Sequence, residues 1–69
     1  MNIEEKVELV KQYIAEVPLT NLSTLCSHKA HFNYFINQGY LDPQVEELGI
    51  YLLVHIEREL KRRENYWLN

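Results

Sequence analysis

The segment that follows Pro43 constrains the fold most strongly, because nothing in it interrupts a helix. It contains no second proline and no glycine after Gly49. We therefore expect one helix over residues 43–66, about 34 Å long at a rise of roughly 1.5 Å per residue. Its start is marked by Asp42, whose side chain can accept from free amides, and by Pro43, which suits the first helical position.

Apolar residues surround the middle of this predicted third helix. One stripe with helical spacing consists of Val45, Leu48, Leu52, Ile56 and Leu60, and it is widened by Ile50, Leu53 and Val54. A helix that is apolar on most sides requires several neighbours. Because glycine inside a helix costs about 1 kcal/mol relative to alanine, we also expect another helix to approach closely at Gly49.

The residues before Pro18 predict a first helix over residues 3–17. Its apolar residues alternate at spacings of four and three, which places them on one helical face. They are Ile3, Val7, Val10, Ile14 and Val17. Asn2 followed by Glu5 is typical of a capping box, and Pro18 disfavours helical geometry at the residue before it.

A second helix is predicted over residues 21–38. Candidate N-caps stand at Thr20, Asn21 and Ser23, and Gly39 is the residue type that adopts the left-handed conformation just after a helix. The sequence thus predicts an all-α fold, with a single helical domain over residues 1–69. We expect a three-helix bundle in which the last two helices form an antiparallel hairpin and the first packs across them.

The chain is short for the apolar surface that it carries. A domain of this size buries only about 60% of its unfolded surface, and its single cysteine cannot form an internal disulfide. We therefore expect a small regulatory or interaction protein that binds a protein partner, forms a homodimer, or does both through the apolar face of the third helix. The expected partner-binding residues are Leu48, Tyr51, Leu52 and Trp67.

Neither a membrane nor the secretory pathway is indicated. The charged run Glu4-Glu5-Lys6 follows soon after Met1, which is not typical of a signal peptide. The longest apolar run, residues 48–56, contains His55 and has about half of the roughly 20 residues needed to span a bilayer. With the lone cysteine, these features lead us to expect a cytoplasmic protein.

Residues 25–35 contain the candidate metal ligands. His28 and His31 share a helical face, whereas Cys26 lies on another side of a continuous helix, and His55 is the remaining imidazole. A structural zinc site requires four converging ligands. We therefore expect no cofactor and keep a metal-binding protein built on these four residues as a less favoured alternative. We interpret Cys26 as a small buried residue with the two nearby histidines at the core boundary.

The same segment supplies bulk for a core rather than a catalytic site. The residues expected in the core are Phe32, Tyr34, Phe35 and Ile36. No spacing places a histidine base beside the Cys26 thiol, and Gly39 and Gly49 are too far apart for a phosphate-binding loop. We expect no enzyme activity and name no catalytic residue.

Four basic residues near the end of the third helix offer an alternative function, that of a nucleic-acid-binding regulator. They are Arg58, Lys61, Arg62 and Arg63. Glu57 stands four residues before Lys61, and Glu59 stands four before Arg63, the order that favours surface ion pairs. This interleaving and the net charge of −3 dilute the basic surface that phosphate contacts require.

The stretch NQGYLDPQVEELGIYLLVHIERELKRRENY resembles the second half of the small stage-zero sporulation aspartyl-phosphate phosphatases. The matching positions are Gly39, Asp42, Pro43, Val45, Leu48 and Leu52. The Ser-Gln-x-Leu-Asp signature of that family is absent, because the corresponding run is Gly49-Ile50-Tyr51-Leu52-Leu53. The resemblance implies a helical hairpin that docks on another protein without dephosphorylating it.

Overall fold

A computed structural model shows three α-helices, α1 (Ile3–Glu16), α2 (Leu22–Gln38) and α3 (Pro43–Leu68), with a short 3-10 turn at Val17–Leu19. It describes the backbone of residues 1–68 and the side chains of residues 1–65. Within residues 1–68 there is no strand. The predicted all-α bundle is confirmed.

The ends of the helices follow local capping chemistry. The side-chain oxygen Oδ1 of Asn2 accepts from the amide of Glu5 at 2.8 Å, and Oδ1 of Asn21 accepts from the amide of Thr24 at 2.8 Å. Gly39 has a φ of 69°, the left-handed conformation that closes α2. The structure ends α1 one residue earlier than predicted, because Val17 begins the turn that contains Pro18.

The long α3 lies beside both of the other helices. Lys6 of α1 is near Asp42 at the start of α3, with 3.9 Å between their charged atoms, and Arg63 near the end of α3 reaches the turn after α1. The contacts of α2 run in the opposite order along α3. The earlier residue Lys29 pairs with the later Glu57, whereas the later residue Phe32 packs beside the earlier Gly49. Therefore α1 runs parallel to α3, and α2 runs antiparallel to it, as the predicted hairpin requires.

The core lies along one side of α3. Its buried apolar residues are Val10, Val17, Leu25, Phe32, Val45, Leu52 and Ile56. Between residues 43 and 65, the buried positions of α3 are Val45, Gly49, Leu52, Ile56 and Glu59, whose spacings of four and three define a single face. We call these five residues the inner face of α3.

Two sequence-based expectations about α2 are wrong. Cys26 is exposed rather than buried, and Tyr34 is exposed rather than part of the core. Tyr34 lies on the side of α2 opposite the buried Leu25 and Phe32, whereas Cys26 lies beside this buried stripe, about 100° around the helix from Leu25. Phe35 and Ile36 are half-buried.

The close approach expected at Gly49 occurs between α3 and α2. A Cβ atom on Gly49 would lie 3.1 Å from Cδ1 of Phe32 and 3.5 Å from Cδ1 of Ile36. Real carbon contacts are seldom closer than the first of these distances, so the site has no room for a larger side chain. The glycine therefore allows the two helices to pack at this separation.

Gly49→Leu should destabilise the protein. The added side chain would have to displace Phe32, and overpacking of this kind costs about 1–3 kcal/mol. We expect the urea midpoint to fall, measured by the helical circular dichroism signal. Ala30→Leu, which also introduces a leucine but at an exposed position of α2, is the control and should keep the wild-type midpoint. An unchanged midpoint for Gly49→Leu would contradict the close packing of α2 on α3.

Candidate functional site

The face of α3 opposite the core is the candidate site. Its exposed residues are Glu47, Ile50, Tyr51, Val54, Arg58 and Lys61, and we call these six residues the outer face of α3. They lie about half a turn away from the inner face at roughly 100° per residue. Since α1 and α2 both pack on the inner face, neither covers this surface.

Three neighbouring apolar side chains form the centre of the outer face. Ile50 is 49% exposed, Tyr51 is 53% exposed and Val54 is 41% exposed. Residues three and four positions apart are neighbours on a helix surface, so Val54 lies next to both of the others. The result is a contiguous apolar patch of three side chains on one helix face.

The structure divides the predicted partner-binding residues between the core and the surface. Leu52 is fully buried between the helices, so it is part of the core rather than an exposed anchor. Leu48 is half-buried against the core, and Tyr51 is exposed at the centre of the outer face. The side chain of Trp67 lies outside the described residues.

Sequence reasoning counted Ile50 and Val54 among the apolar residues of α3 but did not select them for binding. Their place on the outer face could have been found by fixing the inner face first, at the spacing of Val45, Leu52 and Ile56, and then asking which apolar residues lie opposite. Because apolar residues lie on most sides of the middle of α3, the sequence alone does not show which of them face the core and which face outward.

A shallow groove runs along the α2 side of the apolar patch. Its floor is apolar and its rim is charged, and its lining residues are Lys29, Asn33, Ile50, Leu53, Val54, Glu57, Arg58 and Lys61. The rim is partly fixed by the ion pair between Lys29 of α2 and Glu57 of α3. The sequence spacing predicts a pair of Glu57 with Lys61 instead, and this prediction is wrong, since the spacing along α3 carries no information about α2.

The predicted basic cluster is divided by Glu59. Its carboxylate accepts from Arg62 at 3.0 and 2.5 Å and from Nε of Arg63 at 2.7 Å, which confirms the expected pair with Arg63. The Nη2 atom of Arg63 also donates to the backbone oxygen of Thr20 at 2.6 Å. Two of the four basic residues are thus engaged in structural contacts, whereas Arg58 and Lys61 belong to the outer face.

Glu59 is a structural residue. Its sequence spacing predicts an ion pair on the solvated surface, whereas the structure buries its side chain. Its side chain is only 7% exposed, and hydrogen bonds from Arg62 and then Arg63 lower its pKa from 4.5 to about 2, against the opposing effect of burial. Through Arg63, this carboxylate connects α3 to the turn between α1 and α2.

Acid should weaken this connection over a defined pH range. Glu59 has a pKa of 4.5 in an unperturbed chain and about 2 in the folded protein, so its stabilising contribution is complete above 4.5 and declines as the pH falls toward 2. We expect Glu59→Gln to make the free energy of unfolding less dependent on pH in this range, as measured by urea unfolding at successive pH values.

The control for this experiment is Glu64→Gln, an exposed carboxylate of α3, which should retain the wild-type pH dependence. If the wild type and Glu59→Gln lost stability in parallel between pH 4.5 and 2, the structural role of the Glu59 carboxylate would be contradicted.

The candidate metal ligands do not converge. His28 stacks on Tyr13 with ring centroids 4.4 Å apart, and His31 stacks on Phe35 at 6.2 Å. Cys26 is exposed on α2, and His55 lies in the groove between α1 and α3. Among the residues that the structure describes, no group of three or more His, Cys, Asp or Glu side chains could hold a metal ion.

Comparison with protein families, curated proteins and solved structures finds no match to this chain. The resemblance of residues 37–66 to the sporulation phosphatases therefore stays a prediction. Over the described part of the chain, no helix has the length and apolar character needed to cross a membrane.

Proposed function

We propose that the protein is a small non-enzymatic interaction protein that binds a protein helix through the outer face of α3. The observation that carries this proposal is the contiguous exposure of Ile50, Tyr51 and Val54 on one side of a helix whose other side forms the core. Contiguous exposed apolar patches mark sites of association, and one helix surface packs most readily against another.

The charges around the patch also suit a protein helix. Glu47 precedes the apolar centre by one turn, and Arg58 and Lys61 follow it. Such charges at the rim of an interface contribute chiefly to orientation and to the rate of encounter, whereas the apolar centre supplies affinity. Tyr51 suits the role of central anchor because it combines a large apolar ring with a polar hydroxyl.

A regulatory role in the cytoplasm is part of the same proposal. The lone, exposed Cys26 is compatible with a reducing compartment. The resemblance to the sporulation phosphatases implies docking on another protein without catalysis, which agrees with a role as a binding module.

Binding to nucleic acid is the less favoured function. Glu59 engages two of the basic residues, Arg62 and Arg63, which leaves Arg58 and Lys61 as the two members of the basic cluster that form no ion pair within residues 1–65. A nucleic-acid interface needs several basic groups along the phosphate backbone. The apolar patch between Glu47 and Arg58 has no role in such an interface.

A photo-crosslinking phenylalanine analogue in place of Tyr51 tests the proposed surface in living cells that produce the protein. We expect it to form covalent adducts with a protein, identified by mass spectrometry, because Tyr51 lies at the centre of the docking surface. The same analogue at Gln12, an exposed residue of α1, is the matched control and should form none of these adducts.

Adducts containing a second copy of this chain, or one other protein in reproducible yield, would each support the proposed function. The absence of adducts at position 51, or the same set of adducts at positions 12 and 51, would show that the outer face of α3 is not a docking surface.

A further inference from the structure

We infer that the helix bound by the outer face of α3 is the α3 helix of a second copy, in antiparallel orientation about a two-fold axis. This inference rests on the proposed function, since it names the partner of the same surface. It derives from the spacing of the outer-face residues and from the order of their charges.

The spacing of the outer face is that of a coiled-coil seam. Glu47, Tyr51, Val54, Arg58 and Lys61 are separated by four, three, four and three residues. This repeat keeps the side chains in line along a helix that packs against another helix. The inner face has the same alternation, and there it is used against α1 and α2. Helix α3 therefore has two seams on opposite sides, of which one is occupied within the chain.

We call the seam on the outer face of α3 the outer seam. The order of its charges makes it complementary to a second copy of itself in one orientation only. The acidic Glu47 lies at one end, the apolar Tyr51 and Val54 at the centre, and the basic Arg58 and Lys61 toward the other end. In an antiparallel pair, Glu47 of each copy lies opposite Arg58 of the other. In a parallel pair, like charges would lie opposite each other, which is unfavourable.

The geometry of a helix allows both Glu47–Arg58 pairs of the dimer to form at the same time. Glu47 and Arg58 are eleven residues apart, which corresponds to about 16 Å of rise and roughly 20° of rotation away from three full turns. The two-fold axis then crosses the interface at the level of α3 midway between residues 52 and 53. At this register, Tyr51 of one copy lies opposite Val54 of the other. Both charge pairs and both apolar contacts form in the same register.

The charged residues of this seam are available for a partner. Within residues 1–65, none of Glu47, Arg58 and Lys61 takes part in an ion pair or a side-chain hydrogen bond. By contrast, the neighbouring Glu57 and Glu59 are paired within the chain. Glu47 and Arg58, at the two ends of the apolar patch, thus have no ion-pair partner within residues 1–65.

Sedimentation equilibrium of charge-reversal variants tests this arrangement. We expect the wild type to dimerise reversibly, and Glu47→Arg and Arg58→Glu to dimerise at least about tenfold more weakly, because each change places like charges together at both ends of the interface. The double variant Glu47→Arg/Arg58→Glu restores both pairs and should dimerise nearly as well as the wild type.

The matched controls are Glu8→Arg and Lys11→Glu on α1, which make the same changes of net charge at exposed positions and should leave dimerisation unchanged. Circular dichroism should show native helicity for every variant, since all of the altered positions are exposed. Weakened dimerisation of the single variants, together with restored dimerisation of the double variant, would support the antiparallel pairing.

Single variants that dimerise as well as the wild type would overturn the antiparallel register. A wild type that stays monomeric at all concentrations would overturn the second copy as the partner, and crosslinking from position 51 to a different protein would then still support the proposed function. A monomer without such crosslinks would overturn both.

Discussion

Burial of the inner face of α3 against two shorter helices is the interaction on which the fold depends. Leu52 and Ile56 are fully buried there, as is Leu25 of α2, and Gly49 allows Phe32 to approach the backbone of α3. Helices of the length of α1 and α2 are marginal on their own in water. Their stability therefore comes from packing on α3, and the stacking of Tyr13 on His28 joins them to each other.

Packing on one side of α3 has a direct consequence for its other side. Two short helices cover the inner face, and residues 1–68 contain no further helix that could cover the outer face. An apolar centre with charges of opposite sign at its two ends is then exposed along the middle of the longest element. The same helix thus organises the fold through one seam and exposes a second seam.

The local features of the fold could be predicted from the sequence, because each depends on residues close together in the chain. Asn2, Asn21 and Gly39 act at the helix ends as expected, and the bounds of all three helices differ from the predictions by two residues at most.

The features that depend on contacts between helices could not be predicted in this way. The sequence does not state which side of α3 faces α1 and α2, so Leu52 and Tyr51 were equally plausible as surface residues. For the same reason the burial of Glu59 was missed, because its low exposure depends on the turn between α1 and α2, which Arg63 reaches through the backbone oxygen of Thr20.

The most direct measurement is a dilution series of amide NMR spectra of the isotopically labelled protein. If α3 folds through one seam and associates through the other, concentration-dependent shifts should be largest at residues 47–61 on the outer face. The amides of core residues in α1, such as Val10, should shift little. Shifts centred on α1, or spectra that do not change over the whole concentration range, would contradict association through the outer face of α3.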